Sequence, residues 1–381
     1  MTELALPREA YLSWLEVDLP AVRANYRLMR EQLRGDAELF AVVKADAYGH
    51  GAVVVARALL AEKPAMFCVA RVEEAVELRQ AGIDSPLLVL APPLGPQANL
   101  AVEHRCSIVV CDRVHIDAMA AAARAKGCRA KIHLKVDIGM GRLGALPECV
   151  PSLLDQVAEC AELELEGVMS HFPCADAEPA ELTDEQALHF GEIVGQVKSR
   201  ELSVRYFHTA NSAAIMDHPL SHFNAARTGI ALYGQYPSIE MERRLALQPA
   251  MAMRTTIAFL KDVQAGTGLS YGLTFHTQRQ SRIATVPLGY ADGYPRHASN
   301  QTEMLVRGQR VPQVGRVCMD HVLLDVTDVA GVEIGDVVTA FGRDGEAVLS
   351  AEELATRCGT IGYEVTTRVG KRLPKFYGAI S

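Results

Sequence analysis

A regular alternation of short apolar segments with helical segments most constrains the fold of this 381-residue chain. The apolar segments of the first two-thirds predict eight β-strands, and the segments between them carry apolar side chains at helical spacing. The predicted strands are Leu39–Lys44, Met66–Ala70, Pro86–Leu90, Ser107–Cys111, Lys131–Asp137, Leu165–His171, Tyr206–Asn211 and Phe223–Arg227. Such an alternation favours a (β/α)8 TIM-type barrel over an open sheet.

A change of pattern after about residue 240 predicts a second domain. Segments rich in Val, Ile and Thr follow one another there, separated by turns, which indicates a mainly-β unit. One helix interrupts them, beginning with the capping box of Ser350 and Glu353. We therefore predict an α/β barrel over residues 18–240 and a β-domain over 241–381, to which an N-terminal strand within residues 10–17 is added.

Composition and charge exclude several classes of protein. The net charge is -8, and no basic stripe offsets it, so we expect no nucleic-acid partner. Nine cysteines occur without a Cys-x-x-Cys pair, which is typical of free thiols in a reducing compartment. We see no secretory signal and no apolar segment of transmembrane length, and we expect a cytoplasmic protein with no membrane association and no metal site.

Reactive side chains cluster at the predicted strand ends, where barrel enzymes carry their chemistry. Lys44 ends the first strand, and a lysine held in apolar surroundings has a lowered pKa and forms Schiff bases with carbonyl cofactors such as pyridoxal phosphate. The alternative is a lysine whose amine extends to solvent. The other strand-end residues are Arg142, His171, Asn211, Ser212 and Arg227. Each alone has a structural explanation, but their shared location favours a site.

Two segments have the character of a phosphate site. Thr209–Ala214 predicts a strand that runs into a helix, leaving free amides and the Ser212 hydroxyl at its start. Gly229 would let the backbone approach closely after the eighth strand. An ordinary capped turn explains the first segment equally well. Gly139–Gly144 matches a dinucleotide fingerprint, but no helix follows directly, so we reject a nicotinamide site.

Motifs along nearly the whole chain resemble those of alanine racemase, a pyridoxal-phosphate barrel enzyme with a C-terminal β-domain. The motifs are Val43–Gly51, Lys135–Arg142, His208–Ser212, Arg227–Gly234, Leu269–Gly272, Gly289–Tyr294, Gly315–Asp320 and Ile361–Val365. The resemblance implies an isomerase that interconverts L-alanine and D-alanine and supplies D-alanine for peptidoglycan.

The resemblance also assigns roles to individual residues. Lys44 would carry the cofactor as a Schiff base and act as one catalytic base, with Tyr271 as the other. His171 and Arg227 would contact the pyridine ring, and Arg142 and Met319 the substrate carboxylate. Residues that would hold the cofactor phosphate are Tyr48, Ser212, Gly229, Ile230 and Tyr363. Removal of a proton from one face of a carbon and return on the other requires two such bases.

Two further expectations follow from the resemblance. Tyr271 and Met319 would reach the barrel of a second subunit, so the active unit would be a homodimer with shared sites. Lys135 would be a carbamylated lysine that orients Arg142, although an unmodified lysine stays open. The alternatives to alanine racemisation are a serine or broad-specificity racemase and, less favoured, a barrel-type pyridoxal-phosphate decarboxylase.

Overall fold

The computed structural model describes residues 7–177, 179–200 and 202–380 and divides into two compact units. One unit spans Val22–Gln248. The other combines the N-terminal segment up to Ala21 with the chain from Pro249 onward. The N-terminal strand β1 (Ser13–Asp18) and the first helix α1 (Leu19–Glu31) connect them in sequence.

The first unit is a closed barrel of parallel strands. In chain order the strands are β2 (Glu38–Val42), β3 (Phe67–Val69), β4 (Leu87–Val89), β5 (Ser107–Val110), β6 (Ala130–Lys135), β7 (Leu163–Met169), β8 (Tyr206–His208) and β9 (Ala225–Thr228). Each pairs with its neighbours in parallel register, and β9 closes on β2 through pairs such as Phe40 with Arg227. The predicted eight-stranded barrel is confirmed.

Helices follow the barrel strands. They are α2 (Lys44–Tyr48), α3 (Ala52–Leu59), α4 (Val72–Gln80), α5 (Pro96–Glu103), α6 (Arg113–Lys126), α7 (Val150–Glu159), α8 (Glu181–Lys198) and α9 (Ser212–Asp217). Capping residues mark several helix ends in the structure. The Asp18 carboxylate accepts the Ala21 amide at 2.8 Å and caps α1. Gly127 ends α6 in the left-handed conformation that glycine tolerates best.

The barrel interior holds polar side chains as well as apolar ones. His133 on β6 and His208 on β8 are fully buried, and Glu166 on β7 is 3% exposed. The β6–β7 register shifts between Ile132 and His133. Gly167 makes room for the His133 ring, since a Cβ at Gly167 would lie 2.3 Å from its Nδ1.

The second unit is mainly β, as predicted. Its largest sheet has the order β16 (Gln309–Pro312), β15 (Glu303–Val306), β18 (Val337–Asp344), β10 (Met251–Thr256), β1 and β20 (Lys375–Gly378), with β19 (Ala347–Leu349) paired to β18. Two smaller sheets combine β11 (Phe259–Val263) with β14 (Ser281–Val286) and β17 (Val322–Asp325), and β12 (Gly268–Leu269) with β13 (Phe275–His276). Helices α10 (Ala351–Arg357) and α11 (Gly362–Thr367) complete the unit.

A tight turn joins β15 to β16 at Arg307 and Gly308, where the sequence pattern also indicates a turn. The two residues adopt φ values of 50° and 73°. Two consecutive positive φ angles are typical of the tight turns that join twisted strands. Of the predicted capping box the structure shows the N-cap half, in which the Ser350 hydroxyl accepts the Glu353 amide at 3.0 Å. The Glu353 carboxylate instead accepts hydrogen bonds from Arg310 and Arg357.

No helix among the described residues is long and apolar enough to cross a membrane.

Candidate active site

Lys44 begins a left-handed helical turn directly after β2. Ala45, Asp46 and Ala47 have φ between 53° and 54° and ψ between 45° and 51°, and Tyr48 has φ 54°. A left-handed turn costs roughly 1–2 kcal/mol per L-residue, because Cβ approaches the following carbonyl oxygen. Four such residues in sequence turn the chain sharply, which the periodicity alone did not predict.

Hydrogen bonds from both sides stabilise this turn. Glu74 on α4 accepts the Ala45 amide at 2.7 Å, and the Asp46 carboxylate accepts the Ala52 amide at 2.7 Å. The Ala45 carbonyl accepts the Gly49 amide at 3.0 Å within the turn. The contacts hold the half-buried Lys44 at the barrel end. Burial and the guanidinium of Arg142 lower the pKa of Lys44, which favours a neutral, nucleophilic amine.

Arg227 at the end of β9 is the buried cation of the site, at 4% exposed. Its Nη1 donates to His208 Nδ1 at 2.6 Å, and its Nη2 donates to the carbonyls of Ser170 and Thr209, each at 2.9 Å. Burial lowers the pKa of Arg227 to about 10, so the group remains charged at neutral pH. The Nε N–H makes no hydrogen bond to any residue that the structure describes and is therefore the donor left for a ligand.

His171 follows β7 and receives a hydrogen bond from Arg227 Nη2 to its Nδ1 at 3.2 Å. Because Nδ1 accepts, the proton of a neutral imidazole must lie on Nε2. Burial, followed by the charges of Arg227 and Lys135, holds the pKa of His171 well below its usual value. His171 is therefore a neutral imidazole of fixed tautomer.

The proposed phosphate residues of the barrel lie together. Ser212 Oγ accepts the Gly229 amide at 2.9 Å, which leaves its hydroxyl proton to donate elsewhere. A Cβ on Gly229 would lie 2.7 Å from the Tyr48 hydroxyl oxygen, so glycine preserves the space at this point. Asn211 caps α9 through a 3.0 Å bond from the Ala214 amide, and this is the structural role that its pattern also allowed.

Lys135 and Arg142 add two further cationic groups. Lys135, at the end of β6, is 4% exposed, and no carboxylate pairs with it among residues 7–177, 179–200 and 202–380. Burial, with the charges of Arg227 and Arg142, lowers the pKa of Lys135 to about 8. Arg142 itself is exposed in the loop after β6.

The remaining predicted site residues belong to the β unit. Tyr271 and Met319 are 72% and 52% exposed, and Tyr363 lies in α11. Ser270, just before Tyr271, has φ 62° and donates a 2.6 Å hydrogen bond to the Arg316 carbonyl. Gly289 allows the Met319 segment to pack closely, since a Cβ there would lie 2.1 Å from the Met319 carbonyl oxygen.

Sequence reasoning missed residues that support the side chains of this site through hydrogen bonds. Glu74 supports the turn of Lys44, and His208 supports Arg227. The signal for His133 was present in β6, where Lys131, His133 and Lys135 alternate with apolar residues. Residues i and i+2 of a strand point to the same side. His133 and Lys135 could thus have been assigned to one face.

Comparison with known proteins assigns both units. A family model described as the N-terminal domain of alanine racemase matches residues 17–237, and one described as its C-terminal domain matches residues 250–377. An alanine racemase of Methanococcus maripaludis is 40% identical over 366 residues, covering 96% of this chain and 98% of that protein. One from Desulforamulus reducens is 42% identical over 367 residues, covering 96% and 98%.

Solved structures agree with this assignment. Alanine racemase from Bacillus anthracis with bound L-Ala-P has a TM-score of 0.90 and 38% identity, covering 98% of this chain and 96% of that chain. The enzyme from D-cycloserine-producing Streptomyces lavendulae has the same TM-score and identity, covering 96% of each chain. The barrel and the β unit thus define a racemase of the two-domain barrel class. The chain belongs to the alanine racemase family.

Replacing Ala45 with glycine tests the left-handed turn. We expect Ala45→Gly to leave the free energy of unfolding unchanged or raise it by up to about 1 kcal/mol, since relief of the Cβ clash outweighs glycine's entropy cost. The matched control is Ala121→Gly at an exposed position of the right-handed α6, which should lose about 1 kcal/mol. Urea denaturation measures both, and equal losses would contradict the strain.

Proposed function

We propose that this chain interconverts L-alanine and D-alanine with pyridoxal 5'-phosphate, using Lys44 and Tyr271 as the two bases. The observation that supports it most is that the pKa of Lys44 is lowered close to the buried Arg227. The terminal nitrogens of Arg227 donate to protein acceptors, and its Nε N–H is left to bind a ligand. D-alanine would serve peptidoglycan synthesis, and we propose a cytoplasmic location.

The donor set of the barrel fits the proposed cofactor. Arg227 would face the pyridine nitrogen with its Nε N–H, and His171 would lie against the ring. The cofactor phosphate would be held by Tyr48, Ser212, Gly229, Ile230 and Tyr363. Pyridoxal phosphate, when bound, withdraws electrons from the amino acid and makes its α-proton acidic.

The residues of the chain would perform the proton transfers. The neutral amine of Lys44 can accept a proton at Nζ on one side of the α-carbon, and the hydroxyl of Tyr271 can return one on the other. Arg142 and the backbone of Met319 would bind the carboxylate and fix the carbon between the two bases. When Lys44 and Tyr271 exchange the roles of proton acceptor and proton donor, the same site converts the other enantiomer.

A homodimer would bring Tyr271 and Met319 to the barrel of the partner. Large apolar side chains of the β unit are exposed, which is typical of a surface that another protein covers. They include Tyr271, Leu273, Tyr290, Met319 and Ile361.

Proton exchange in heavy water tests the function. Incubation of L-alanine with the pyridoxal-phosphate-loaded protein should replace the α-proton with deuterium while optical rotation falls to zero. Lys44→Ala should reduce the rate by roughly 10²–10⁴-fold, as loss of a proton-transfer group does. Lys126→Ala, which alters an exposed lysine of α6 paired with Glu103, is the matched control and should retain the rate.

Other outcomes distinguish the alternatives. Faster exchange of serine or lysine than of alanine would favour the serine or broad-specificity racemase. Release of carbon dioxide without racemisation would favour the decarboxylase.

Mixed dimers test the shared site. Chains carrying Lys44→Ala and Tyr271→Phe are each expected to be inactive alone. Random mixing would give heterodimers with one intact site, so activity should recover to about one quarter of the wild-type value. No recovery, with heterodimers verified by mass, would contradict sites built from two subunits.

We also propose that Lys135 is carbamylated, so that it becomes an anion beside Arg142. Carbon dioxide adds to the neutral amine with formation of an N–C bond and release of one proton. Because the folded pKa is about 8, the carbamate should accumulate as pH rises through that value and disappear below it. A ¹³C NMR signal from labelled bicarbonate measures this, and it should be absent in Lys135→Ala. The ion-paired Lys131 is the internal control, and a signal that survives Lys135→Ala would contradict the assignment.

A further inference from the structure

A continuous hydrogen-bonded chain runs through the barrel interior from Arg227 to Glu166. Arg227 Nη1 lies 2.6 Å from His208 Nδ1, and His208 Nε2 lies 2.9 Å from His133 Nδ1. His133 Nε2 then lies 3.2 Å from Glu166 Oε2. We call these four residues the Glu166–Arg227 chain. All four are at most 4% exposed.

The direction of the first bond is set by Arg227. A guanidinium carries only N–H donors, so His208 Nδ1 must be the acceptor. Burial and then the charge of Arg227 hold the pKa of His208 well below its usual value, and the ring is neutral. The single proton of His208 therefore lies on Nε2 and is donated to His133 Nδ1.

The direction of the last bond is set by Glu166. Burial alone would raise the pKa of its carboxyl, but hydrogen bonds from His133, Lys131 and Ser107 lower it to about 2. Lys131 Nζ lies 2.7 Å from Oε1, and the Ser107 hydroxyl donates to Oε2 at 2.5 Å. An ionised carboxylate only accepts, so His133 must donate from Nε2. Its Nδ1 is then free to accept from His208.

Both ends thus demand the same arrangement of protons. The reverse arrangement would place an N–H of His208 against an N–H of Arg227 at 2.6 Å, and a lone pair of His133 against the carboxylate of Glu166. Buried polar groups left without a partner in this way destabilise the reverse arrangement. The Glu166 carboxylate can only accept and the Arg227 guanidinium can only donate. Only one arrangement of the two histidine protons therefore satisfies every contact between them.

We propose that Glu166 and His133 are positioning residues, which act through His208 to fix the proton order of the Glu166–Arg227 chain and the orientation of the Arg227 guanidinium. Both terminal nitrogens of Arg227, Nη1 and Nη2, donate to fixed acceptors. These hydrogen bonds therefore set the direction in which the Nε N–H points. The carboxylate of Glu166 provides the buried negative charge that faces this cation across two imidazoles. The consequence for turnover rests on the proposed function, whereas the proton order does not.

¹⁵N NMR of the histidine-labelled, cofactor-loaded protein and of its cofactor-free form tests the proposal. In the wild type, His133 and His208 should both carry the proton on Nε2 and none on Nδ1. His133→Asn and His208→Gln identify the two signals. A proton on Nδ1 of either ring, or a doubly protonated ring near neutral pH, would overturn the proposal.

Glu166→Gln tests the control exerted by the carboxylate. A glutamine can present either an oxygen or an N–H to His133, so both directions become accessible. We expect protonated Nδ1 to appear in His133 or His208, and kcat to fall about tenfold or more with little change in KM, as misplacement of a catalytic contact does. Unchanged tautomers in a folded Glu166→Gln protein would overturn the proposal.

Lys131→Met is the matched control, because it removes another 2.7 Å partner of the same carboxylate but leaves an acceptor-only group. It should keep both tautomers and most of kcat. If Lys131→Met changed the tautomers and kcat as much as Glu166→Gln does, the effect would be one of general packing and the proposal would be overturned. If the wild type has the predicted tautomers but racemises no amino acid, the proposed function fails while the proton order stands.

Discussion

A guanidinium buried inside the barrel is the constraint on which the rest of the site depends. An isolated charge in such surroundings costs many kcal/mol, and proteins tolerate it only when hydrogen bonds and a counter-charge surround it. Arg227 has both, with carbonyls from the ends of β7 and β8, two imidazoles, and the distant carboxylate of Glu166. Burial, and after it the charge of Arg227, lowers the pKa of His171, His208 and Lys135.

This arrangement explains why so many basic groups coexist at one end of a barrel. Burial and mutual repulsion favour the neutral forms of the lysines and histidines, while Arg227 keeps its proton. The site therefore presents the buried cation of Arg227 together with several nitrogen atoms that are biased toward their neutral forms. A carbonyl-bearing anion, such as the proposed cofactor, is complementary to both features.

The sequence allowed the barrel and most of the barrel site to be predicted, because strand ends are recognisable from apolar segments and barrel chemistry gathers at one end. Lys44, His171 and Arg227 were assigned in this way. The left-handed turn after Lys44 was beyond such reasoning, since no local preference of alanine or aspartate produces it. The roles of Glu74 and Glu166 likewise depend on which strands become neighbours, and spacing along the chain does not specify that.

The origin of the left-handed turn has a consequence for the order in which the protein folds. A short peptide of L-residues does not hold this conformation by itself, and the carboxylate that accepts the Ala45 amide comes from Glu74 on α4. The turn that carries Lys44 therefore forms only after a later part of the chain has docked. Burial and the Arg142 guanidinium, which lower the pKa of the Lys44 amine, likewise depend on chain that is synthesised later. Before those parts fold, Lys44 has the pKa of an ordinary lysine, so its amine is mainly protonated and a weaker nucleophile toward aldehydes.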